Sequence, residues 1–218
     1  MIYVYYTYQS EENHERLLTE VLPGFPVYYQ EKIKRYRRWQ DAQLSLLGRV
    51  LLYKAAEEIY GHKLHDKEIK YTKHNKPYFE DHVIQFNITH SEGIVVCALT
   101  DLHEVGVDIE IITDFELDSF KFEMTEKERQ KIESSDNIKD AFFEYWTQKE
   151  AVIKAHGHGL TIPLKSFEIV ENKTEINEEK FYLKEIKIDE KYKCHISLKT
   201  SIGEIYLKEE IIKTQYFN

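Results

Sequence analysis

Cysteine is scarce in this chain: the 218 residues include only Cys97 and Cys194, which lie far apart and form no CxxC motif. Disulfide frameworks and cysteine-based zinc sites need several cysteines at short spacings, so both are excluded. The histidines do not supply a zinc site either, because His156 and His158 lack further zinc ligands nearby. Both cysteines are therefore predicted to be buried thiols.

Long apolar runs are also missing. No stretch approaches the ~18 uninterrupted apolar residues of a membrane-spanning helix. The start of the chain, MIYVYYTYQSEEN, lacks both the basic residues and the apolar run of a secretory signal. These absences predict a cytoplasmic protein without a membrane partner.

Positive charge is in the minority, with 30 Lys and Arg against 39 Asp and Glu and a net charge of -9. This balance argues against a general nucleic-acid binder, which relies on a broad cationic surface. One local exception is the segment 32–38, KIKRYRR, which contains five basic residues. Either a solvated helix start or a phosphate-binding patch explains it.

Glycine and proline number only 8 and 4, whereas tyrosine and phenylalanine number 16 and 11. This composition predicts sizeable helices and sheets joined by few elaborate loops. Helical periodicity marks residues 30–60, 125–133 and 138–155. Runs of β-branched and aromatic residues predict strands at 2–8, 83–88, 94–99, 105–111, 167–170, 181–188, 192–198 and 204–207.

These elements divide into two similar sets. Residues 1–104 and residues 105–218 each combine helices with antiparallel strands, which predicts an α+β fold of two similar halves. A length of 218 residues leaves no room for more than two small domains. Ligands commonly bind where such units meet, so we expect a ligand at the interface near residue 105.

Two carboxylates stand out in the segment VGVDIE at 105–110. Asp108 and Glu110 are two residues apart on a predicted strand, so their side chains project from the same face. On a solvated strand edge the pair would be harmless. The apolar neighbours instead indicate a buried opposite face, so that the carboxylates line a surface where a cation would relieve their repulsion. Oxygen ligands alone favour Mg²⁺ over zinc.

A second pattern lies on the helix predicted at 138–155, where Trp146, Glu150 and Lys154 recur every four residues and share one stripe. One interpretation is a core tryptophan beside a surface ion pair worth only a few tenths of a kcal/mol. The other makes Glu150 a third carboxylate at the metal and places Lys154 beside the anion that the metal holds. Two further segments are a turn-like HNKP at 74–77 and FNITHS at 86–91, where a strand ends in clustered small polar groups and a histidine. An ordinary loop with capping hydroxyls is one interpretation of either segment.

In their order and spacing, five segments resemble the surfactin-synthetase-activating type of 4′-phosphopantetheinyl transferase. The segments are RRWQDAQLSLLGRVLL (37–52), NKPYF (75–79), FNITHSEGIVVCAL (86–99), VGVDIE (105–110) and WTQKEAVIKAHGHGLTIPL (146–164). The last two form a highly specific pair. The resemblance implies a monomer in which two similar α+β halves form a pseudo-dimer, with coenzyme A and Mg²⁺ in the cleft between them.

The resemblance also implies an activity and its catalytic residues. The activity is Mg²⁺-dependent transfer of the 4′-phosphopantetheine group from coenzyme A to a serine of an apo acyl or peptidyl carrier protein, releasing adenosine 3′,5′-bisphosphate. Asp108, Glu110 and Glu150 match the family's metal ligands. Lys154 matches a lysine that meets the coenzyme A phosphates, so Asp108, Glu150 and Lys154 are the implied catalytic residues.

A further set of residues is implied to bind coenzyme A. Lys32 and Arg35 match basic residues near the 3′-phosphate. The positions that contact the nucleotide and its phosphates correspond to Ser45, Asn75, Lys76, Thr89 and His90. Asn75 stands where the family often has glycine, which a left-handed turn would accommodate. Leu44 stands where the family has an arginine, so one charge contact is lost.

The sequence leaves several alternatives open. Glu126 resembles a family glutamate assigned to proton abstraction, Glu128 is an alternative alignment, and Glu150 acting through water is another candidate base. The apolar segment 115–124 is either a docking surface for the carrier or part of the core. Alternatives to a transferase are a non-catalytic coenzyme A-binding module and a Mg²⁺-dependent hydrolase of the coenzyme A pyrophosphate.

Overall fold

The computed structural model describes residues 1–61, 69–80 and 83–212. Its helices are α1 (His14–Arg16), α2 (Val27–Lys34), α3 (Trp39–Tyr60), α4 (Glu126–Glu133) and α5 (Ile138–His156). Its strands are β1 (Ile2–Tyr8), β2 (Ile69–Tyr71), β3 (Pro77–Phe79), β4 (Gln85–Ser91), β5 (Ile94–Thr100), β6 (Val105–Ile111), β7 (Lys173–Ile176), β8 (Glu179–Glu185), β9 (Tyr192–Leu198) and β10 (Ile205–Glu209). This mixture of helices and sheets confirms the predicted α+β class.

The first sheet has the strand order β10-β1-β5-β4. Strand β5 is antiparallel to both β1 and β4, whereas β10 runs parallel to β1. Every residue of β5 is buried, because Val95, Cys97 and Leu99 share a core with α3 while the residues between them face the second sheet. A strand that is covered on both faces has apolar residues throughout, as β5 does.

The second sheet has the strand order β6-β9-β8-β7 and is antiparallel throughout. One face of β6 places Val105, Val107 and Ile109 in the core between the two sheets. Helix α5 packs against β6 and β9 on the opposite face. Since side chains alternate along a strand, Asp108 extends toward α5.

Side chains of β4 join the two sheets. The Asn87 amide oxygen accepts a hydrogen bond from Val107 N–H at 3.0 Å, and the Ser91 hydroxyl oxygen accepts one from Ile111 N–H at 3.1 Å. Alternate side chains of β4 thus satisfy backbone donors of β6 that would otherwise need a neighbouring strand. This junction holds β4 beside β6.

The last described strand returns to the first sheet. Strand β10 pairs with β1, and Glu210 N–H donates to the Tyr6 carbonyl at 2.8 Å. The Glu210 carboxylate also pairs with the Lys54 ammonium of α3 at 2.5 Å. Residues from the predicted second half therefore complete the first sheet, and the division into 1–104 and 105–218 stays a prediction.

The predicted elements agree with the structure to within three residues at each end except in two places, and strands β2, β3 and β7 have no predicted counterpart. The helix predicted over 30–60 is two helices, because α2 ends at Lys34, Arg38 is extended (φ -99, ψ 129) and α3 begins at Trp39. Trp39 packs against His14 with 5.2 Å between ring centroids, a contact that local periodicity does not contain. The strand predicted at 167–170 is wrong, because only an isolated bridge forms there, between residues 170 and 173.

The two cysteines are free and buried, as predicted. Burial raises the pKa of each thiol, which makes both unreactive at neutral pH. Among the helices of the described ranges, none combines the length and the apolar character that crossing a membrane requires.

Candidate functional site

The site lies where β6 meets α5, and Asp108 is its most buried carboxylate, with a side chain only 4% exposed. Asp108 Oδ1 accepts a hydrogen bond from the Thr89 hydroxyl at 3.2 Å and pairs with the Lys154 ammonium. Asp108 Oδ2 is buried and has no hydrogen-bond partner among the described residues. Burial raises the pKa of Asp108, against the opposing effect of Lys154.

Glu110 is the second carboxylate of β6. The Ser91 hydroxyl on β4 donates to Glu110 Oε2 at 2.7 Å. Burial raises the pKa of Glu110 to about 7, and the neighbouring Asp108 carboxylate adds to the rise. The two carboxylates of β6 lie on one face of the strand, as predicted. The hydroxyl groups of Thr89 and Ser91 on β4 hold them there.

Helix α5 approaches β6 closely because residue 106 is glycine. A Cβ atom at Gly106 would lie 2.1 Å from the Ala151 carbonyl oxygen and 2.3 Å from the Ala155 nitrogen, both of which are backbone atoms. Only glycine fits this separation. Gly106 is absent from the predicted site, although an isolated glycine among β-branched residues is a recognised signal of close backbone approach.

Glu150 and Lys154 lie one turn apart on α5 and share the environment of β6. Burial raises the pKa of Glu150; Lys154 opposes this, whereas the Asp108 and Glu123 carboxylates add to it. The Lys154 ammonium pairs with Asp108, which differs from the interpretation of Lys154 and Glu150 as a surface ion pair. Trp146, on the same stripe, packs against the aromatic core, which agrees with the first interpretation for this residue.

The donor set of this site suits a hard divalent cation. Asp108 raises the pKa values of both Glu110 and Glu150, so negative charge is concentrated here. The buried Asp108 Oδ2 adds an unsatisfied oxygen. Such oxygen-only chemistry fits Mg²⁺ rather than zinc. Within the described ranges, no three His, Cys, Asp or Glu side chains form a ready-made metal cage, so the three carboxylates would have to close around a cation.

Two residues of β4 lie within electrostatic reach of Lys154. The Lys154 ammonium donates to the Thr89 hydroxyl oxygen at 3.2 Å, which brings these two predicted phosphate contacts together. His90 is exposed, yet partial desolvation of its ring and the charge of Lys154 lower its pKa. The Asp41 and Asp108 carboxylates oppose this effect. This polar surface beside the carboxylates suits an anion that contacts both a bound cation and the Lys154 ammonium.

Asn75 and Lys76 lie in the turn before β3. Asn75 has a φ of 63, which confirms the expected left-handed turn. The Lys76 ammonium donates to the backbone carbonyls of Val105 at 3.3 Å, Lys154 at 2.7 Å and Ala155 at 3.1 Å. Burial lowers the pKa of Lys76 to about 8. Lys76 thus binds the last turn of α5, and its predicted contact with a nucleotide stays a prediction.

Comparison with known proteins identifies the family. Residues 104–206 match the model of the 4′-phosphopantetheinyl transferase superfamily, and residues 14–101 match the model for the N-terminal part of 4′-phosphopantetheinyl transferase. The chain is 35% identical over 173 residues to 4′-phosphopantetheinyl transferase gsp of Aneurinibacillus migulanus, covering 76% of this chain and 72% of that protein. The chain belongs to the 4′-phosphopantetheinyl transferase family.

Two further relatives agree with this assignment. The transferase is 32% identical over 163 residues to 4′-phosphopantetheinyl transferase Sfp of Bacillus subtilis (strain 168), covering 73% of this chain and 70% of that protein. It is 27% identical over 152 residues to 4′-phosphopantetheinyl transferase HetI of Nostoc sp., covering 68% of this chain and 62% of that protein. The family predicted from the five sequence segments is confirmed.

The basic residues predicted to meet the 3′-phosphate lie at the end of α2 in the transferase. Lys32 and Arg35 are exposed, and Arg35 pairs with Glu31 at 3.5 Å. Ser45 is half-buried on α3. In the part of the chain that the structure describes, no hydrogen bond or ion pair connects these residues with the carboxylates of β6. Leu44, at the position where an arginine is expected from the family resemblance, is buried in the core that α3 shares with β5.

The candidate bases of the transferase differ in their surroundings. Glu126 is exposed at the start of α4, where its carboxylate accepts from the Gln130 side chain at 3.1 Å. One oxygen of Glu128 accepts from Thr125 N–H at 2.9 Å, and the other pairs with the Lys149 ammonium at 2.6 Å. Glu128 therefore caps α4. Lys149, its buried partner, lies in the family-like segment 146–164 but is absent from the predicted site.

The apolar segment 115–124 is mostly core. Its side chains pack with the aromatic residues at the start of α5 at four positions, Phe115, Leu117, Phe120 and Met124. Phe122 differs, because it is 71% exposed and its ring lies 5.1 Å from the Lys121 ammonium. Among the apolar residues of this segment, Phe122 is therefore the candidate for contact with a carrier.

Proposed function

We propose that this transferase moves the 4′-phosphopantetheine group from coenzyme A to a serine hydroxyl of an apo acyl or peptidyl carrier protein. Adenosine 3′,5′-bisphosphate is the second product. The observation that carries the proposal is the cluster of three carboxylates and one lysine at the contact between β6 and α5. The relatives gsp and Sfp, which are named as 4′-phosphopantetheinyl transferases, support it.

In the proposed reaction the serine oxygen forms a bond to the phosphorus that carries the pantetheine arm. The bond from that phosphorus to the bridging oxygen breaks, and the bridging oxygen leaves with adenosine 3′,5′-bisphosphate. Phosphoryl transfer requires alignment and neutralisation of negative charge. Lys154 suits this role, because its ammonium is held beside Thr89 and Asp108 and can stabilise or protonate the leaving oxygen.

Asp108, Glu110 and Glu150 would hold Mg²⁺. When bound, the cation supplies positive charge to the pyrophosphate. The unpartnered Asp108 Oδ2 and the raised pKa values of Glu110 and Glu150 support this assignment. A bound cation would favour the charged carboxylates, so cation binding should release protons near neutral pH.

We propose that the Glu126 carboxylate is the general base that accepts the proton of the serine hydroxyl. Glu128 is unsuited, because both of its oxygens are engaged by Thr125 and Lys149. Glu150 is assigned to the cation. The Glu126 carboxylate is exposed and retains acceptor capacity for a substrate hydroxyl beside its contact with Gln130.

Intact-protein mass spectrometry tests the proposed function. An apo carrier protein is incubated with the chain, coenzyme A and Mg²⁺, beside a control that contains EDTA. We expect the carrier to gain one phosphopantetheine arm, and EDTA to prevent the gain. Free phosphopantetheine with an unmodified carrier would establish the hydrolase instead. Bound coenzyme A with neither product, across fatty-acid, polyketide and peptide carriers, would establish the binding module.

Several further features are part of the proposal. Phe122 is proposed to contact the carrier, since an exposed ring beside the Lys121 ammonium suits an apolar patch with an acidic rim. Lys32, Arg35, Ser45, Asn75, Lys76, Thr89 and His90 are proposed to contact coenzyme A. A monomeric state, a cytoplasmic location and the absence of a nucleic-acid partner are also proposed, and the net charge of -9 supports the last of these.

A further inference from the structure

We propose that Lys149 is a positioning residue, whose buried ammonium holds the first turn of α4 against α5 and so sets the place of Glu126 relative to Glu150. The inference rests on the proposed function, because it gives Glu126 and Glu150 their roles. Lys149 directly precedes Glu150 in α5, and its partner Glu128 is two residues from Glu126 in α4. One ion pair therefore connects the two helices next to both residues.

The Lys149 side chain is 0% exposed, and all of its donor capacity is used. Its ammonium bonds to Glu128 Oε1 at 2.6 Å, to the Leu164 carbonyl at 2.9 Å and to the Phe167 carbonyl. It also lies 4.3 Å from the Phe167 ring centroid. A lysine that is fully buried and has its three N–H groups bonded cannot reach a substrate phosphate as well. The contacts of Lys149 are therefore those of a support.

Glu128 transmits this support to the start of α4. Its Oε2 accepts from Thr125 N–H at 2.9 Å, and the Thr125 hydroxyl oxygen accepts from Glu128 N–H at 3.2 Å. These reciprocal bonds form a capping box, inside which Glu126 is the first helical residue. Because Lys149 holds one member of the box, it fixes the turn that carries Glu126.

The other ion pairs that α4 makes outside its own helix join it to segments other than α5: Lys127 pairs with Glu168 at 3.1 Å and Arg129 with Asp118 at 2.7 Å. Of the α4 residues, all of which the structure describes, only Ile132 is buried. A cleft of about 270 Å³ lies between α4 and α5, and its lining includes Glu128 and Lys149 as well as Lys131. The ion pair between Lys149 and Glu128 is therefore the principal polar contact that sets the distance between the two helices.

Replacing Lys149 by methionine tests the inference. Lys149→Met keeps the volume and removes the charge, which leaves Glu128 Oε1 without its ion-pair partner and frees the start of α4. We expect kcat for carrier modification to fall by ~10²-fold, because displacing a reacting group by about 1 Å has an effect of this size. The dissociation constant of coenzyme A should change by less than about 2-fold, since Lys149 contacts no proposed coenzyme A residue.

The matched control is Lys54→Met, which removes another ion pair of low exposure, Lys54–Glu210, between α3 and the segment after β10. Both variants should lower the melting temperature, but only Lys149→Met should lower kcat. Equal losses of kcat in both variants would overturn the inference in favour of a general loss of stability. Recovery of kcat in the double variant Lys149→Met with Glu128→Met would overturn it too, because that variant restores an apolar contact without the ion pair.

Hydrogen exchange separates this inference from the proposed function. Backbone amides of α4 should exchange faster in Lys149→Met than in the parent chain, and at the parent rate in Lys54→Met. Unchanged α4 exchange in Lys149→Met would overturn the positioning role whatever the activity. If the parent chain modifies no carrier while α4 exchange responds as expected, the proposed function fails and the structural part of the inference stands.

Discussion

Replacing Gly106 by alanine tests how closely α5 must approach β6 for activity. The added Cβ would lie 2.1 Å from the Ala151 carbonyl oxygen and 2.3 Å from the Ala155 nitrogen. Both contacts are with backbone atoms, so no side-chain rotation relieves them. Ordinary contact needs at least 3.4 Å, and α5 must therefore withdraw from β6 by about 1 Å.

This withdrawal has a stability cost and a catalytic cost. Overpacking of a buried contact costs about 1–3 kcal/mol, and for a chain of this size each kcal/mol lowers the melting temperature by about 2–4 °C. The rate of carrier modification should be affected more strongly than the stability. Glu150 and Lys154 move with α5 while Asp108 stays on β6, and a misplacement of about 1 Å costs ~10²-fold in rate.

The assay is the initial rate of carrier modification, followed by intact-protein mass spectrometry, together with a thermal melt. Gly203→Ala is the matched control, because a Cβ at Gly203 meets nothing within 4 Å. This control should keep the parent rate and melting temperature. A parent-like rate in Gly106→Ala would refute the reasoning, since the site would then tolerate the displacement of α5.

Three further predictions concern other parts of the molecule. Asp108→Ala should reduce carrier modification to the level seen with EDTA while the circular dichroism spectrum stays that of the parent; full activity would remove the metal-site assignment. Burial lowers the pKa of His195 to about 4, so its contribution of about 3 kcal/mol to stability is complete above pH ~6.5 and is lost as the pH falls toward 4. His195→Asn should therefore flatten the dependence of the urea midpoint on pH between 7 and 4, and an unchanged slope would contradict this. Phe122→Ser should raise KM for the carrier by ~10-fold and leave the dissociation constant of coenzyme A unchanged, whereas an unaltered KM would place carrier docking elsewhere.

Much of this protein is determined by local features of the sequence. The alternation around Asp108 and Glu110 predicts a strand with a buried face, and the structure places that strand at the expected residues. The spacing of Trp146, Glu150 and Lys154 predicts one stripe of a helix, which α5 provides. These patterns depend on residues close together in the chain, and so did the five segments from which the family was predicted.

Only the tertiary structure decided how these elements meet. The sequence has no signal that Lys154 pairs with Asp108, or that Lys149 pairs with Glu128. Nor does it show that the Lys76 ammonium is bound by carbonyls at the end of α5. Each of these contacts joins residues far apart in the chain. Their geometry depends on the packing of a helix against a sheet, which local periodicity and composition do not encode.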